Sequence, residues 1–338
     1  PLDQGVLRRA IEKLVIRHEA LRTTFASEAG RPVQHVWGYR EVPLRTHSTG
    51  PDRGAVERLV NDAYAEPFDL ARGPLARVDL FSSAVDDHVV LLTLHHAVCD
   101  AWSLWILTDE LVRCYQGELT GRVPTLEPVA PYHEFCRRQT AQLESAAGER
   151  LWRHWQTTLE GVLPPLALPL DHPRPPVRAE RGGTIEFGLP HGLSRDLRAT
   201  AASLGATLNV VLLGCFQLLL HRMAGQPELV LGTLTGGRTD PAFAGTVGYF
   251  VNPVVIRSCL PETGTIGDFL ADVRRQTLAA IEHQDFPFPL LVERLRPVRD
   301  PGRLPIFQVL FVLQKAPRQH GPEQLTASDG AASADLRL

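Results

Sequence analysis

The sequence predicts an α/β protein of two lobes. Three observations carry this. Strand-like apolar runs alternate with helical patterns in both halves of the chain. A proline-dense stretch, Leu163 to Arg178, stops any regular element near the middle and reads as a linker. With 338 residues, 44% of them hydrophobic, the chain can bury a large core, and its size suggests two lobes. We therefore place an N-terminal lobe at 1–165 and a C-terminal lobe at 166–338.

Asp3 is placed to cap a helix whose residues Val6, Leu7, Ala10, Ile11, Leu14 and Val15 recur on one face. Leu21 to Phe25 and Pro32 to Trp37 read as strands around the turn Glu28-Ala29-Gly30-Arg31, a hairpin. A helix is expected from Gly54 to Ala65, and strands from Leu75 to Phe81 and from Val89 up to His96. Helical patterns follow at Trp102 to Tyr115 and, more loosely, at Tyr132 to Leu159. Beyond the linker, Thr184 to Gly188 reads as a strand and His191 to Leu204 as a helix, and Thr207 caps a buried helix reaching His221. Leu229 to Leu234, Val247 to Ile256 and Ile306 to Leu313 read as strands, and Ile266 to Glu282 as a helix. From Ala316 the residues are small and polar until a strand begins near Ala334. The chain opens in mid-fold and stops as that strand starts, so we expect a piece of a longer protein.

A net charge of −3 with interspersed signs and no basic block points to neither nucleic acid nor a membrane surface. The longest apolar stretch, Val210 to Leu220, is too short to span a bilayer, and no signal-peptide pattern opens the chain. A cytoplasmic location is the expectation. The five cysteines stand far apart with no C-x-x-C pair, so we read them as reduced residues rather than a zinc knuckle or disulfide framework.

The segment with most chemical content is His95-His96-Ala97-Val98-Cys99-Asp100-Ala101-Trp102-Ser103. The apolar run before it delivers an imidazole to the end of a buried strand, with a carboxylate four residues on where a helix begins. Such a mounting suits an acyl-transfer base. Strand side chains alternate between faces, so the two histidines cannot both look into one site: one does chemistry and the other packs. Opposed histidines with few nearby carboxylates do not make a metal-ligand set.

Five ordered segments resemble the condensation domain of nonribosomal peptide synthetases, in the chloramphenicol-acetyltransferase-like superfamily. Arg17-His18-Glu19-Ala20-Leu21-Arg22-Thr23-Thr24-Phe25 resembles RHExLRTxF, and His95 to Ser103 resembles HHxxxDGxS. Val247-Gly248-Tyr249-Phe250-Val251-Asn252 is similar to VGxFVN, His283-Gln284-Asp285-Phe286-Pro287-Phe288 to HQDxPF, and Arg299-Asp300-Pro301-Gly302-Arg303-Leu304-Pro305 to RDxSRxP. Tyr132-His133-Glu134-Phe135 matches YxDF only loosely, and the glycine after the motif aspartate is Ala101 here. If that backbone needs positive φ, the methyl is harmful; if it is already helical, alanine is harmless or helpful. We favour the second.

The resemblance implies a two-lobed fold, each lobe a mixed sheet with packed helices, with the active site in a tunnel between the lobes. It implies peptide-bond formation between a donor acyl or peptidyl thioester and an acceptor aminoacyl thioester. Both arrive on carrier proteins through their phosphopantetheine arms, with no cofactor or metal held by this chain. The partners implied are donor and acceptor peptidyl carrier proteins and adjacent synthetase domains. His96 is the candidate catalytic residue, either accepting the amine proton or positioning the amine and stabilising the oxyanion. His95 is read as a packing residue. Asp100 either orients His96 or forms an ion pair that shapes the strand-to-helix turn. We favour the ion pair, with Arg238 as first partner and Arg22 as second.

Asn252 either donates to substrate or caps a turn, and His283-Gln284-Asp285 reads as a structural turn at a helix end. His18 and Glu19 read as helix-end contacts, and Trp102 and Trp105 as core or wall. The alternatives are a condensation-like module that recruits a partner protein without chemistry, and a specialised acyltransferase forming an ester or a modified residue. A plant-type acyltransferase lacks its DFGWG-like segment here, a glycerolipid acyltransferase lacks a membrane surface, and an epimerisation domain differs in its later motifs.

Overall fold

The computed structural model describes residues 2–50, 52–178, 182–260, 263–298, 300–314, 325–328 and 333–336. Its elements fall into two compact units. The first comprises 1–137, 238–250 and 316–338; the second comprises 138–237 and 251–315. Leu163 to Arg178 forms no helix or strand and lies inside the second unit, as does position 165/166.

In the first unit, helix α1 (Gln4–Arg17) starts where the Val6 amide donates to Asp3 Oδ1 at 2.9 Å. All six residues of its apolar stripe are buried. A short 3-10 turn (Glu19–Arg22) leads into the hairpin of β1 (Thr23–Glu28) and β2 (Arg31–Val36). Positive φ at Ala29 and Gly30 gives this two-residue turn the twist that tight hairpins require. Next come β3 (Leu44–Ser48), α2 (Arg53–Ala65), β4 (Ala76–Ala84) and β5 (Asp87–Leu94). They form a three-stranded sheet in which β3 runs parallel to β4 and β4 antiparallel to β5.

The alternation of β4 sorts its neighbours. Val78 and Leu80 enter an apolar core with α1 and with Leu107 and Leu111 of α3 (Ala101–Thr120). Asp79, between them, faces the other way and is fully buried. It accepts from Arg45 directly across the ladder, at 2.7 and 2.9 Å, and pairs with His47 at 2.7 Å. Sequence reading had no strand at β3, because its outward residues are polar and serve this buried carboxylate.

Helices α1 and α3 are also clasped through Glu110, which pairs with Arg17 Nε at 2.9 Å and His18 Nε2 at 2.7 Å. Burial pushes the Glu110 carboxyl up, but the bonds and charges of His18 and Arg17 outweigh it and hold it below the ordinary range.

The loose helical pattern over 132–159 consists of two helices, α4 (Tyr132–Leu143) and α5 (Ala146–Thr158), with Ser145 capping the second at 3.1 Å. The second unit begins within α4, at Arg138, and after α5 holds α6 (His191–Ser203), α7 (Leu208–Ala224), β6 (Glu228–Thr235), β7 (Asn252–Cys259), α8 (Ile266–Glu282), α9 (Phe288–Leu295) and β8 (Leu310–Phe311). Strand β6 pairs antiparallel with β7 and parallel with β8. Trp155, Leu213, Leu231 and Val273 form the centre of the core. Gly232 lets Phe307 lie against the sheet: a Cβ there would stand 2.5 Å from two atoms of that ring. Strands β9 (Leu325–Ser328) and β10 (Ser333–Leu336) pair antiparallel.

Three strand expectations are corrected. Thr184 to Gly188 forms no strand: no described strand pairs with it, and Ile185 and Phe187 are 89% and 83% exposed. Val247 to Val251 is irregular, with β7 starting at Asn252. Only Leu310–Phe311 of the expected Ile306 to Leu313 strand joins the ladder. Among the described residues no single helix is long and apolar enough to cross a membrane. Helices α6 and α7 meet those measures only as a pair, and that pair bends by 105°.

His154 of α5 stacks on His283, with ring centroids 3.6 Å apart and planes 10° from parallel. Burial, and then the neighbouring His283, hold its pKa down to about 4.

Two outcomes follow. Gly232→Ala should destabilise the protein by roughly 1–3 kcal/mol through overpacking against Phe307, read by urea unfolding. For His154, the unfolded side chain binds its proton near pH 6.5 and the folded one only near pH 4, so the unfolded state gains protons first as pH falls. Stability should therefore drop between those values, and His154→Leu should flatten that part of a urea-midpoint series.

Candidate active site

Strand β5 ends at Leu94, and the chain turns through a 3-10 segment, His96–Val98, before α3. The expected strand running up to His96 therefore stops short, and the turn, not strand alternation, sets the two histidines apart. His95 caps this turn: its Nδ1 accepts from the Ala97 amide at 3.0 Å, which puts the ring proton on Nε2. Burial, with His96 nearby, lowers the His95 pKa. Its ring meets Phe68 edge-on at 6.1 Å.

His96 is oriented the other way round. Its Nδ1 lies 2.6 Å from the Cys99 carbonyl, and because a carbonyl only accepts, the proton is on Nδ1 and the Nε2 lone pair is free. The side chain is exposed and has no other hydrogen-bond partner among the described residues. The ring of Tyr249 stands at 84° to it with centroids 5.1 Å apart.

Asp100 makes no hydrogen bond with His96. Its carboxylate is fully buried and its oxygens are taken. Oδ1 accepts from the Ser103 amide at 2.7 Å and from Arg238 Nη2 at 3.1 Å; Oδ2 accepts from the Phe250 amide at 3.1 Å and from Arg238 Nη2 at 3.3 Å. Arg238 also donates to the carbonyls of Phe243 and Thr246 and to Ser103 Oγ, and lies 3.8 Å over the Phe250 ring. Burial lowers the Arg238 pKa, against the pull of Asp100. Arg22, the second candidate partner, donates instead to the Trp37 carbonyl. Ala101 is the first residue of α3, with Asp100 as its cap, so its backbone is helical and the methyl meets no conformational penalty.

Ser103 is fully buried: its hydroxyl donates to the Gly248 carbonyl and accepts from the Gly248 amide at 2.9 and 3.0 Å. The motif contains Ser103, but sequence reading gave it no part. Cys99 is buried, burial pushes its thiol pKa up, and its Sγ donates to the Asp100 carbonyl. Trp102 donates from Nε1 to the Ala244 carbonyl at 3.1 Å, and its ring stands 6.1 Å from that of Trp105.

Asn252, in the second unit, is a cap. Its Nδ2 donates to the carbonyls of Gln284 (2.7 Å) and Phe286 (2.8 Å), and its Oδ1 accepts from the Phe288 amide at 2.9 Å. This one side chain ties the VGxFVN-like segment to the HQDxPF-like turn, where His283 Nδ1 donates to the Ala279 carbonyl. Glu19 accepts from the His133 amide at 2.7 Å. Arg299 lies outside the described residues, while Asp300 caps the Gly302 amide and pairs with Arg303. No cluster of three or more metal-ligating side chains occurs among the described residues.

Asp100→Asn should cost about 3 kcal/mol, because it leaves the Arg238 charge buried without its counter-ion. Urea unfolding should show that loss, while single-turnover activity per folded molecule stays near wild type. Normal stability with lost turnover would instead give Asp100 a chemical part.

The Condensation domain family profile matches residues 1–336. The chain is 38% identical to Chondramide synthase cmdD of Chondromyces crocatus over 93% of its own length and 8% of that protein. It is also 38% identical to Phosphinothricin tripeptide synthetase PhsB of Streptomyces viridochromogenes, over 95% of the chain and 28% of that protein. It thus spans under a third of either relative. Among solved structures, the X-domain from teicoplanin biosynthesis superposes with a TM-score of 0.83 at 26% identity, over 91% of this chain and 70% of that one. The first condensation domain of the CDA synthetase gives 0.72 at 22% identity, over 87% and 71%, a likeness of fold. The motif segments, the α/β architecture and a profile match over nearly the whole length agree: the chain belongs to the condensation-domain family of nonribosomal peptide synthetases.

Proposed function

We propose that this domain forms a peptide bond between a donor acyl or peptidyl thioester and an acceptor aminoacyl thioester, with His96 receiving the amine proton. Both substrates come on phosphopantetheine arms of carrier proteins, within a cytoplasmic synthetase. The observation that supports the reading best is the fixed tautomer of an exposed imidazole. With Nδ1 committed to the Cys99 carbonyl, neutral His96 offers Nε2 only as an acceptor. That suits the N–H of an attacking amine and does not suit a developing oxyanion, which needs a donor.

In this reading the acceptor's amine nitrogen bonds to the thioester carbon and passes a proton to His96 Nε2. The resulting imidazolium is then a donor beside the tetrahedral intermediate. As the C–S bond breaks, the thiolate leaves with the electron pair and takes up the proton, restoring neutral His96. Thioesters are already activated, so holding the two arms together supplies part of the rate.

A second reading has one specific support. The teicoplanin X-domain has been solved in complex with OxyB, and this chain resembles it with a TM-score of 0.82. A module recruiting a partner protein is therefore the alternative, together with an acyltransferase forming an ester or modified residue. The intact His96 with its lone pair presented favours amide formation.

The test is a single-turnover assay with loaded donor and acceptor carriers, read by intact-protein mass spectrometry. His96→Ala should slow transfer of the donor mass by about 10²-fold or more, the usual scale for a proton-transfer group. Transfer at the wild-type rate in His96→Ala would remove His96 from the chemistry. No transfer by wild type, across several loaded pairs, would favour the recruiting module.

A further inference from the structure

We propose that Tyr249 is a positioning residue for His96, and this rests on the catalytic reading of His96 above. The hydrogen bond from Nδ1 to the Cys99 carbonyl fixes one edge of an exposed ring, which can still swing about that single bond. A second contact is needed to hold the plane. The Tyr249 ring supplies it, standing 5.1 Å away and nearly perpendicular, the favoured edge-to-face geometry.

What makes the contact more than a neighbouring surface is how Tyr249 is held. Its carbonyl accepts from Tyr132 Oη at 2.6 Å. The residue before it is fastened twice to Ser103, and the residue after it donates its amide to Asp100 at 3.1 Å. A side chain at Gly248 is excluded, since a Cβ would lie 2.1 Å from the Tyr132 ring. The backbone on both sides of Tyr249 is thus fixed by the start of α3, the same helix start that the His96 turn feeds into. Ring and imidazole are delivered to each other from one rigid frame. Tyr249 is nonetheless 39% exposed, so it can be replaced without opening the core.

The experiment compares Tyr249→Phe, Tyr249→Leu and Tyr249→Ala with wild type and His96→Ala by two readouts. One is the single-turnover rate with loaded carriers as a function of pH. The other is the rate at which diethyl pyrocarbonate modifies His96, followed by peptide mass spectrometry, which needs no turnover. Tyr249→Ala and Tyr249→Leu should slow transfer by up to about tenfold, the most that one aromatic pair contributes. They should also speed modification of His96 several-fold, with melting temperatures close to wild type. Tyr249→Phe, which keeps the ring, should restore both.

Unchanged transfer and unchanged modification in Tyr249→Leu and Tyr249→Ala would overturn the proposal. So would equal losses in Tyr249→Phe, because the hydroxyl and not the ring would then be responsible. Wild-type transfer in His96→Ala would overturn the reading of His96 instead, and the modification rates would still decide whether Tyr249 fixes the ring.

Discussion

The buried carboxylate of Asp100 organises the first unit. Asp100 carries a charge with no access to water, and such a charge persists only when its oxygens are fully engaged. The donors it gathers come from distant points in the sequence: the first turn of α3, the guanidinium of Arg238 and the amide of Phe250. Residues 238–250 are bounded on both sides by the second unit, yet they belong to the first. The ion pair at one end of this segment and the amide bond at the other explain why. Ser103 and the Thr246 hydroxyl, which donates to the Ala130 carbonyl, add attachments in between.

The positioning of His96 follows from the same frame without a hydrogen bond to Asp100. The carboxylate fixes where α3 begins, the helix start fixes the turn before it, and the turn brings the Cys99 carbonyl onto the imidazole. A catalytic triad would have put the carboxylate on the histidine. Here the charge is spent on architecture, and a neutral backbone group sets the tautomer. Asn252 plays a comparable part in the second unit, joining a strand start to a turn with three bonds from one amide.

Helices were legible in the sequence where periodicity and a capping residue were read together, as at Asp3 and Thr207, whereas the cap at Ser145 and the short helix after Pro287 were missed. Strands were read less well, for identifiable reasons. Val247 to Val251 is apolar and buried at Val247 and Phe250, which imitates a strand, but the backbone of Gly248, Tyr249 and Phe250 bonds to the side chains of Ser103, Tyr132 and Asp100 and not to a ladder. Leu44 to Ser48 is a true strand that looks like a loop, because Arg45 and His47 face a buried aspartate. Arg238 was found as the partner of Asp100 because it follows a strand after two glycines. The Cys99 carbonyl and Tyr249 were not found, since a backbone acceptor has no letter of its own and a tyrosine in an apolar run reads as core.

The Cys99 carbonyl has one more implication. A backbone oxygen is present whatever side chain occupies the position, so the group that orients the imidazole is immune to substitution at residue 99 itself. A substitution at 99 that keeps the turn leaves the tautomer of His96 unchanged. The vulnerability is displaced one position along, onto the buried carboxylate of Asp100.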